Sequence, residues 1–190
     1  VLNKYGFCGV LKMMFYYIYT KIFFPHCRLI RFPFDIRNSN NICLGNGFTS
    51  GFNCRIESYG GIIRFGKRCQ INDNVHIASA NNIIIGDDFL CASRVFITDL
   101  NHGNYSGDNH SSPYCKVSQR PLTTKPIIIG NNVWVGESVN ILPGVVLGDN
   151  CIIGSGSVVT KSIPPNSIAV GNPCVVIKVW DENMNCWLNK

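Results

Sequence analysis

Four histidines, ten cysteines and eleven carboxylates are the residues of this 190-residue chain with the chemistry of bases, nucleophiles or ligands. One grouping draws attention first. In FITDLNHGNY (residues 96–105), His102 lies between Asn101 and Gly103, with Asp99 three positions before it. Three roles suit such a histidine: a solvated turn residue, a metal ligand or a general base. Imidazole titrates near neutrality, so it can take the proton of a hydroxyl that is a poor nucleophile on its own. A base of this kind keeps one nitrogen free while the other donates to a carbonyl or carboxylate. Asp99 could accept that bond, and so could a backbone carbonyl. His26 falls in a basic N-terminal segment and His110 in a polar stretch after residue 99. His76 ends the period INDNVH, where it reads as a surface or subunit-interface residue.

The cysteines stand singly at irregular spacings, with no CxxC pair and no Cys/His zinc pattern. No secretory cleavage pattern is visible. The cysteines therefore read as reduced thiols serving as small apolar fillers, which implies a cytoplasmic protein.

The length suits one sizeable domain. The net charge of +6 is uneven, because about five of those units fall within residues 1–37 (Lys4, Lys12, Lys21, Arg28, Arg31 and Arg37 against Asp35). A nearly neutral body argues against nucleic acid as a partner. The asymmetry points instead at the N-terminal segment. There, YGFCGVLKMMFYYIYTKIFF (5–24) is aromatic and apolar but interrupted by Lys12 and Lys21, so it is too short to span a bilayer. Two readings stay open: a helix lying in the membrane interface, and a segment packed on the domain or on a neighbouring subunit.

What must position His102 is visible further along. From residue 129 the chain runs in sixes: IGNNVW, VGESVN, ILPGVV, LGDNCI, IGSGSV and VTKSIP, ending at 164. Every first position is Ile, Val or Leu; the second is Gly in four; the fifth is small or β-branched. The period also occurs earlier with slips of two or three residues, over 44–55, 65–76 and 85–96, and several cysteines (Cys54, Cys69, Cys151) occupy its fifth position, with Cys91 at a first. The reading is a solenoid of short parallel strands, three hexapeptides to a coil, with first-position aliphatics stacked inward. Glycine at the second position is expected to allow the turn at each corner. A period of six excludes an amphipathic helix, and the absence of helical stretches between strands excludes a doubly wound α/β fold.

The repeat breaks between Ile97 and Ile129. The intervening 99–126, polar and carrying Pro113, Pro121 and Pro126, reads as a long functional loop. His102 falls five residues after Ile97, at the outward sixth position where the wall gives way to that loop.

The hexapeptide pattern over about 42–177 resembles the hexapeptide-repeat acyltransferases. That resemblance implies an all-β solenoid, a left-handed parallel β-helix with a protruding loop, assembled as a homotrimer with active sites between subunits. Around it are expected a short helical segment in 1–40, a β-helix domain over 41–177 and a short helix or tail over 178–190 that closes the end. Counted from Ile85-Gly86-Asp87, His102 falls where the galactoside and maltose acetyltransferases carry their catalytic histidine. DLNHG and LIRFPF (29–34) are more similar still to the lipopolysaccharide and capsule O-acetyltransferases. His76, His102 and His110 do not reproduce the spacing of the zinc carbonic anhydrases built on this solenoid, so no metal is expected.

The resemblance also implies acetyl-CoA as donor and a carbohydrate hydroxyl as acceptor. Asn72 and Ser58 match acceptor-contacting positions, and Asn101 adjoins the base. Trp134 in NNVWVG is expected on an outer face, where an exposed indole is unusual without a partner, and in the family it lines the pantetheine groove with Gly136. Ser155 and Gly156 would flank the pantetheine; Thr160 and Lys161, in VVTKSIPPNSIAVGNPC (158–174), would lie by the adenine and 3′-phosphate. Two arginines of the galactoside enzymes are replaced by Val175 and Lys178, leaving Lys178 as a point charge for phosphate, and Glu137 replaces a serine.

The expectation is thus an acetyl-CoA-dependent O-acetyltransferase acting on a bacterial surface polysaccharide or its precursor, in the cytoplasm or at the inner face of its membrane. The alternatives are an acetyltransferase of a small soluble acceptor (a free sugar, a nucleotide sugar or an antibiotic) and a non-catalytic scaffold.

Overall fold

A computed structural model describes residues 2–190, with the side chains of residues 6–190. The chain forms a left-handed parallel β-helix of about seven turns. Its three faces are parallel sheets. The first comprises Phe34–Arg37, Cys54–Ser58, His76–Ser79, Phe96–Thr98, Asn140–Ile141 and Val158–Val159. The second comprises Ile42–Cys43, Ile62–Phe65, Asn82–Ile85, Ile127–Ile129 and Val146–Leu147. The third begins with Gln70–Ile71, Leu90–Cys91, Trp134–Val135, Ile152–Ile153 and Ser167–Val170.

Register stacks like on like. Ile56 pairs with Ile77 and Ile77 with Ile97, while Ile141 follows Ile97 and precedes Val159 on the same face. These first-position residues are fully buried, as are Cys54, Cys69, Cys91 and Cys151. All ten cysteines are free thiols. Burial pushes Cys54 and Cys69 up to about 11, which suits inert filler rather than a nucleophile.

The corners work differently from the sequence expectation. The left-handed backbone conformation falls at the fourth position of the period, at Arg68, Asn74, Asp88, Arg94, Asn132, Ser138 and Asn150, all with φ between 54° and 60°. Second-position glycines instead permit coils to approach. A Cβ on Gly86 would lie 2.7 Å from the Gly130 carbonyl carbon, and one on Gly136 would lie 2.6 Å from the Ser155 amide nitrogen. Those glycines are set by contact between neighbouring turns, not by the turn itself.

Helix α1 (Leu2–Phe23), interrupted at Gly6, covers the N-terminal end. The Thr20 hydroxyl is buried and accepts from the Ile30 amide at 2.8 Å, and Tyr19 packs on Phe32. The solenoid starts before residue 41, since Phe34–Arg37 already pairs with Cys54–Ser58. The C-terminal end is neither a helix nor an unpaired tail. Val175–Asp181 and Cys186–Asn189 form an antiparallel hairpin that extends the third face, with Trp180 and Trp187 packed edge to face. A sheet edge left open at the last coil offers unpaired backbone groups, and the hairpin covers it. Among the described residues no helix is long and apolar enough to cross a membrane.

Candidate active site

The corner between the first and second faces carries Ser58, Ser79 and Asp99 at successive turns. Ser58 donates its hydroxyl to the Gly61 carbonyl at 2.7 Å and accepts from the Gly60 amide and Asn41 Nδ2. Ser79 donates to the Asp99 carboxylate at 2.6 Å, and the Ala80 and Asn81 amides donate to it at 2.8 and 3.0 Å. Asp99 is fully buried. An ionised carboxylate needs such donors once water is removed. Its oxygens are therefore committed to the preceding coil, and it makes no hydrogen bond to His102. Asp99 anchors the corner from which the loop departs.

The loop has structure of its own. Leu100–His102 pairs antiparallel with Leu122–Thr124, His102 opposite Leu122. Gly103 follows with φ of 100°, a conformation open to glycine, and a Cβ there would meet the Tyr105 hydroxyl at 2.5 Å. The Tyr105 hydroxyl donates to the His102 carbonyl at 2.7 Å and accepts from Arg120 Nη1 at 2.8 Å. Arg120 also holds the Cys115 and Pro113 carbonyls. The main chain of His102 is thus braced from within the loop, while its exposed ring has no hydrogen-bond partner among the described residues.

His102 stands at the rim of a pocket of about 500 Å³ on the first face. Ala78, Phe96, Leu100, Leu122 and Leu142 give it apolar walls; Tyr59, Thr98, Asn101 and His76 add polar groups. Beneath them lies Glu57, 4% exposed. Its carboxylate accepts from His76 Nε2 at 2.7 Å and from Arg37 Nη1 at 3.3 Å. Burial by itself would push the Glu57 carboxyl up. The His76 hydrogen bond and charge, helped by the Tyr59 hydroxyl and Arg55, outweigh it and hold the group below the ordinary glutamate range.

The period marks His76 only as an outward residue and does not single out Glu57. The signal that could have found the pair is coil length. Arg37 and Glu57 are twenty residues apart and in register, while His76, in register with Arg55 on the next turn, reaches Glu57 diagonally.

Of the expected acceptor contacts, Asn101 lines this pocket; Ser58 and Asn72 do not. Ser58 braces the corner, and Asn72 is exposed at the opposite edge of the first face, with its main chain bound to Cys91 and Cys54. On the donor side, Trp134 projects from the third face, 51% exposed, between Leu90 and Ile152. It borders a groove of about 580 Å³ with Arg28, Arg68 and Gln70. Gly136, Ser155 and Gly156 meet at the corner between the third and first faces, where Ser155 Oγ accepts from the Glu137 amide at 3.1 Å. Thr160 and Lys161 are exposed after the last strand of the first face, at the corner His102 occupies two turns earlier. Lys178 lies in the added hairpin, opposite Ile168. One chain therefore does not gather these residues: the third face lies across the prism from the His102 corner. No cluster of three or more His, Cys, Asp or Glu side chains suited to a metal occurs among the described residues.

Comparison with known proteins fits this geometry. The family model for the bacterial transferase hexapeptide (six repeats) matches residues 126–161. The chain is 42% identical over 187 residues to "Putative lipopolysaccharide biosynthesis O-acetyl transferase WbbJ" of Escherichia coli (strain K12), covering 97% of this chain and 95% of that one. It is 39% identical over 151 residues to galactoside O-acetyltransferase of the same organism, covering 77% and 70%. Among solved structures, a mutant form of the N-acyltransferase AntD from Bacillus cereus, in complex with dTDP and coenzyme A, superposes with a TM-score of 0.69 at 23% identity over 82% of each chain, a likeness of fold. Galactoside acetyltransferase in complex with coenzyme A matches at 28% identity and a TM-score of 0.50, over 83% of this chain and 69% of that one. With a relative this similar along nearly its whole length, the chain belongs to the hexapeptide-repeat acetyltransferases.

Proposed function

We propose that the protein is an acetyl-CoA-dependent O-acetyltransferase acting on a sugar hydroxyl of a bacterial surface polysaccharide, O-antigen or capsule, or of its precursor. The observation that carries this reading is the His102 ring, free of protein partners among the described residues, at the rim of a pocket with apolar walls and a few polar groups. Such a lining suits a pyranose, whose faces are apolar and whose edge carries hydroxyls. Acetyl-CoA supplies an acetyl group already activated as a thioester. His102 takes the proton of the acceptor hydroxyl as that oxygen attacks the thioester carbonyl; the C–S bond breaks, the sulfur leaves with that proton as the free thiol of coenzyme A, and no covalent enzyme intermediate forms. The exposed Trp134 indole and Arg28 beside it fit a ligand with an apolar arm and phosphates. The resemblance to WbbJ along the chain supports the polysaccharide acceptor.

The reading includes a homotrimer with active sites between subunits. Trp134 and His102 stand on opposite sides of one prism, and a neighbouring chain would bring the two half-sites together. The outward ladder Ile84, Ile128 and Val146 on the second face supports self-association, since an apolar sheet face favours burial. It also includes a cytoplasmic location with contact at the inner membrane surface. Phe7, Phe15, Ile18, Ile22 and Phe23 of α1 are exposed, next to Lys12, Lys21 and Arg28. Co-sedimentation with phosphatidylglycerol vesicles but not with phosphatidylcholine vesicles is expected, and binding to neither would withdraw the membrane contact.

The principal test incubates the protein with acetyl-CoA and de-acetylated surface polysaccharide of its own bacterium, followed by mass spectrometry. A gain of acetyl groups on the glycan is expected. Acetylation of free monosaccharides alone would favour a small soluble acceptor, and no turnover with no acetyl-CoA affinity would leave a scaffold.

A further inference from the structure

The pocket holds two histidines in unlike states, and the second has a support that the first lacks. His76 stands on the strand His76–Ser79, in register with Arg55 on one side and Phe96 on the other. Its Nε2 lies 2.7 Å from a Glu57 carboxylate oxygen, and the Phe96 ring packs against it at 5.1 Å between centroids. A carboxylate held ionised can only accept, so Nε2 carries the proton of this bond. Among the described residues Nδ1 has no partner, and the His76 side chain is 35% exposed, on the wall of the same pocket as His102.

Burying a carboxylate to hold a surface histidine has an energetic cost that an ordinary surface ion pair does not incur. Its physical result is a ring held in one rotation on the pocket wall, with Nδ1 left free of protein partners among the described residues. The surrounding walls (Tyr59, Phe96, Leu122, Leu142) are largely apolar, so a group bonding Nδ1 would be one of few polar anchors for a ligand there.

We propose that His76, oriented by Glu57, is an acceptor-recognition residue. Its Nδ1 hydrogen-bonds a hydroxyl of the acceptor ring other than the one that is acetylated, and so presents the reacting hydroxyl to His102. Glu57 is a positioning residue that acts through His76. The ligand class is a neutral pyranose carrying a free hydroxyl at that place. This rests on the proposed sugar O-acetyltransferase function.

The experiment measures steady-state kinetics and calorimetric binding for wild type, His76→Asn, Glu57→Gln and His102→Ala. The probes are acetyl-CoA, de-acetylated surface polysaccharide and methyl pyranosides of neutral hexoses with single deoxy positions. His76→Asn is expected to raise the acceptor KM at least tenfold while kcat falls less than threefold and the acetyl-CoA KM is unchanged. Glu57→Gln should shift the acceptor KM in the same direction by less. One deoxy pyranoside should bind wild type as weakly as the parent sugar binds His76→Asn, and the variant should no longer distinguish the two. His102→Ala should keep acceptor binding and lose turnover. An acceptor KM within twofold of wild type for a folded His76→Asn would overturn the proposal and leave His102 as base. Loss of kcat in His76→Asn with turnover retained in His102→Ala would overturn both assignments. If wild type neither binds nor acetylates any of these sugars, the function itself falls and the proposal with it.

Discussion

His76 and His102 share one pocket, yet one belongs to the wall of the solenoid and the other to the loop that leaves it. His76 is placed by strand register, and its ring is bonded to a buried carboxylate. The position of His102 depends on a hairpin outside the repeat, braced by Tyr105 and Arg120, with its ring free. A parallel sheet offers a fixed outward position every second residue, suited to recognition. A loop can set a side chain above that surface, suited to a base that must meet both acceptor and donor. The wall supplies orientation, and the loop supplies reach.

Four substitutions probe that contrast. The largest effect is expected from His102→Ala: kcat should fall about 10²–10⁴-fold, the usual contribution of a general base, with acetyl-CoA affinity retained in equilibrium binding. Full turnover in that variant would place the base on the wall instead. Next comes Asp99→Asn at the junction of wall and loop. An amide cannot accept from Ser79, Ala80 and Asn81 together, so denaturant unfolding should show a loss of about 1–3 kcal/mol. The pH profile of the residual activity should keep its midpoint, whereas a shifted midpoint would mean that Asp99 acts on the imidazole after all.

Tyr105→Phe removes the brace on the His102 carbonyl without touching the wall. A neutral hydrogen bond contributes about 1 kcal/mol, so kcat should drop several-fold while the melting temperature stays nearly constant; a fall in stability instead of kcat would make the loop part of the folded core. Glu57→Gln should change kcat least of the four, and its effect on stability depends on pH. The Glu57 carboxyl is held below its ordinary range in the folded protein. Its contribution is therefore present above the unfolded-state value and is lost as pH falls through the lower folded one. The stability gap between wild type and Glu57→Gln should close on acidification, and a gap that widens would contradict the His76 pairing.

Much of the fold was legible because one rule repeats. Buried Ile56, Ile77 and Ile97 answer to a period read directly from the chain. The mechanism assigned to the glycines was not legible, because turn geometry and coil-to-coil contact both favour glycine. Only the would-be Cβ contacts of Gly86 and Gly136 separate them. The C-terminal hairpin escaped for a related reason: Val175–Asp181 does not continue the period of six, and its pairing depends on the open edge at Ser167–Val170.

At the site, His102 was visible as the residue where period and loop meet, and Asp99 was visible as a conspicuous acid nearby. Its inward orientation was not, since three donors from another turn decide it. Glu57 was hidden by its outward position on a strand, which predicts a solvated side chain.

The sequence by itself determined the solenoid, its inward residues and the break that carries His102. These follow from the spacing of side chains along one chain, and spacing is a local property. Only the tertiary structure decided that Glu57 is buried against His76, that Asp99 serves the corner, and that Trp134 faces away from His102. Each of these depends on residues about a full turn or more apart. Their meeting is set by how the turns stack and by which charges lose water when they do.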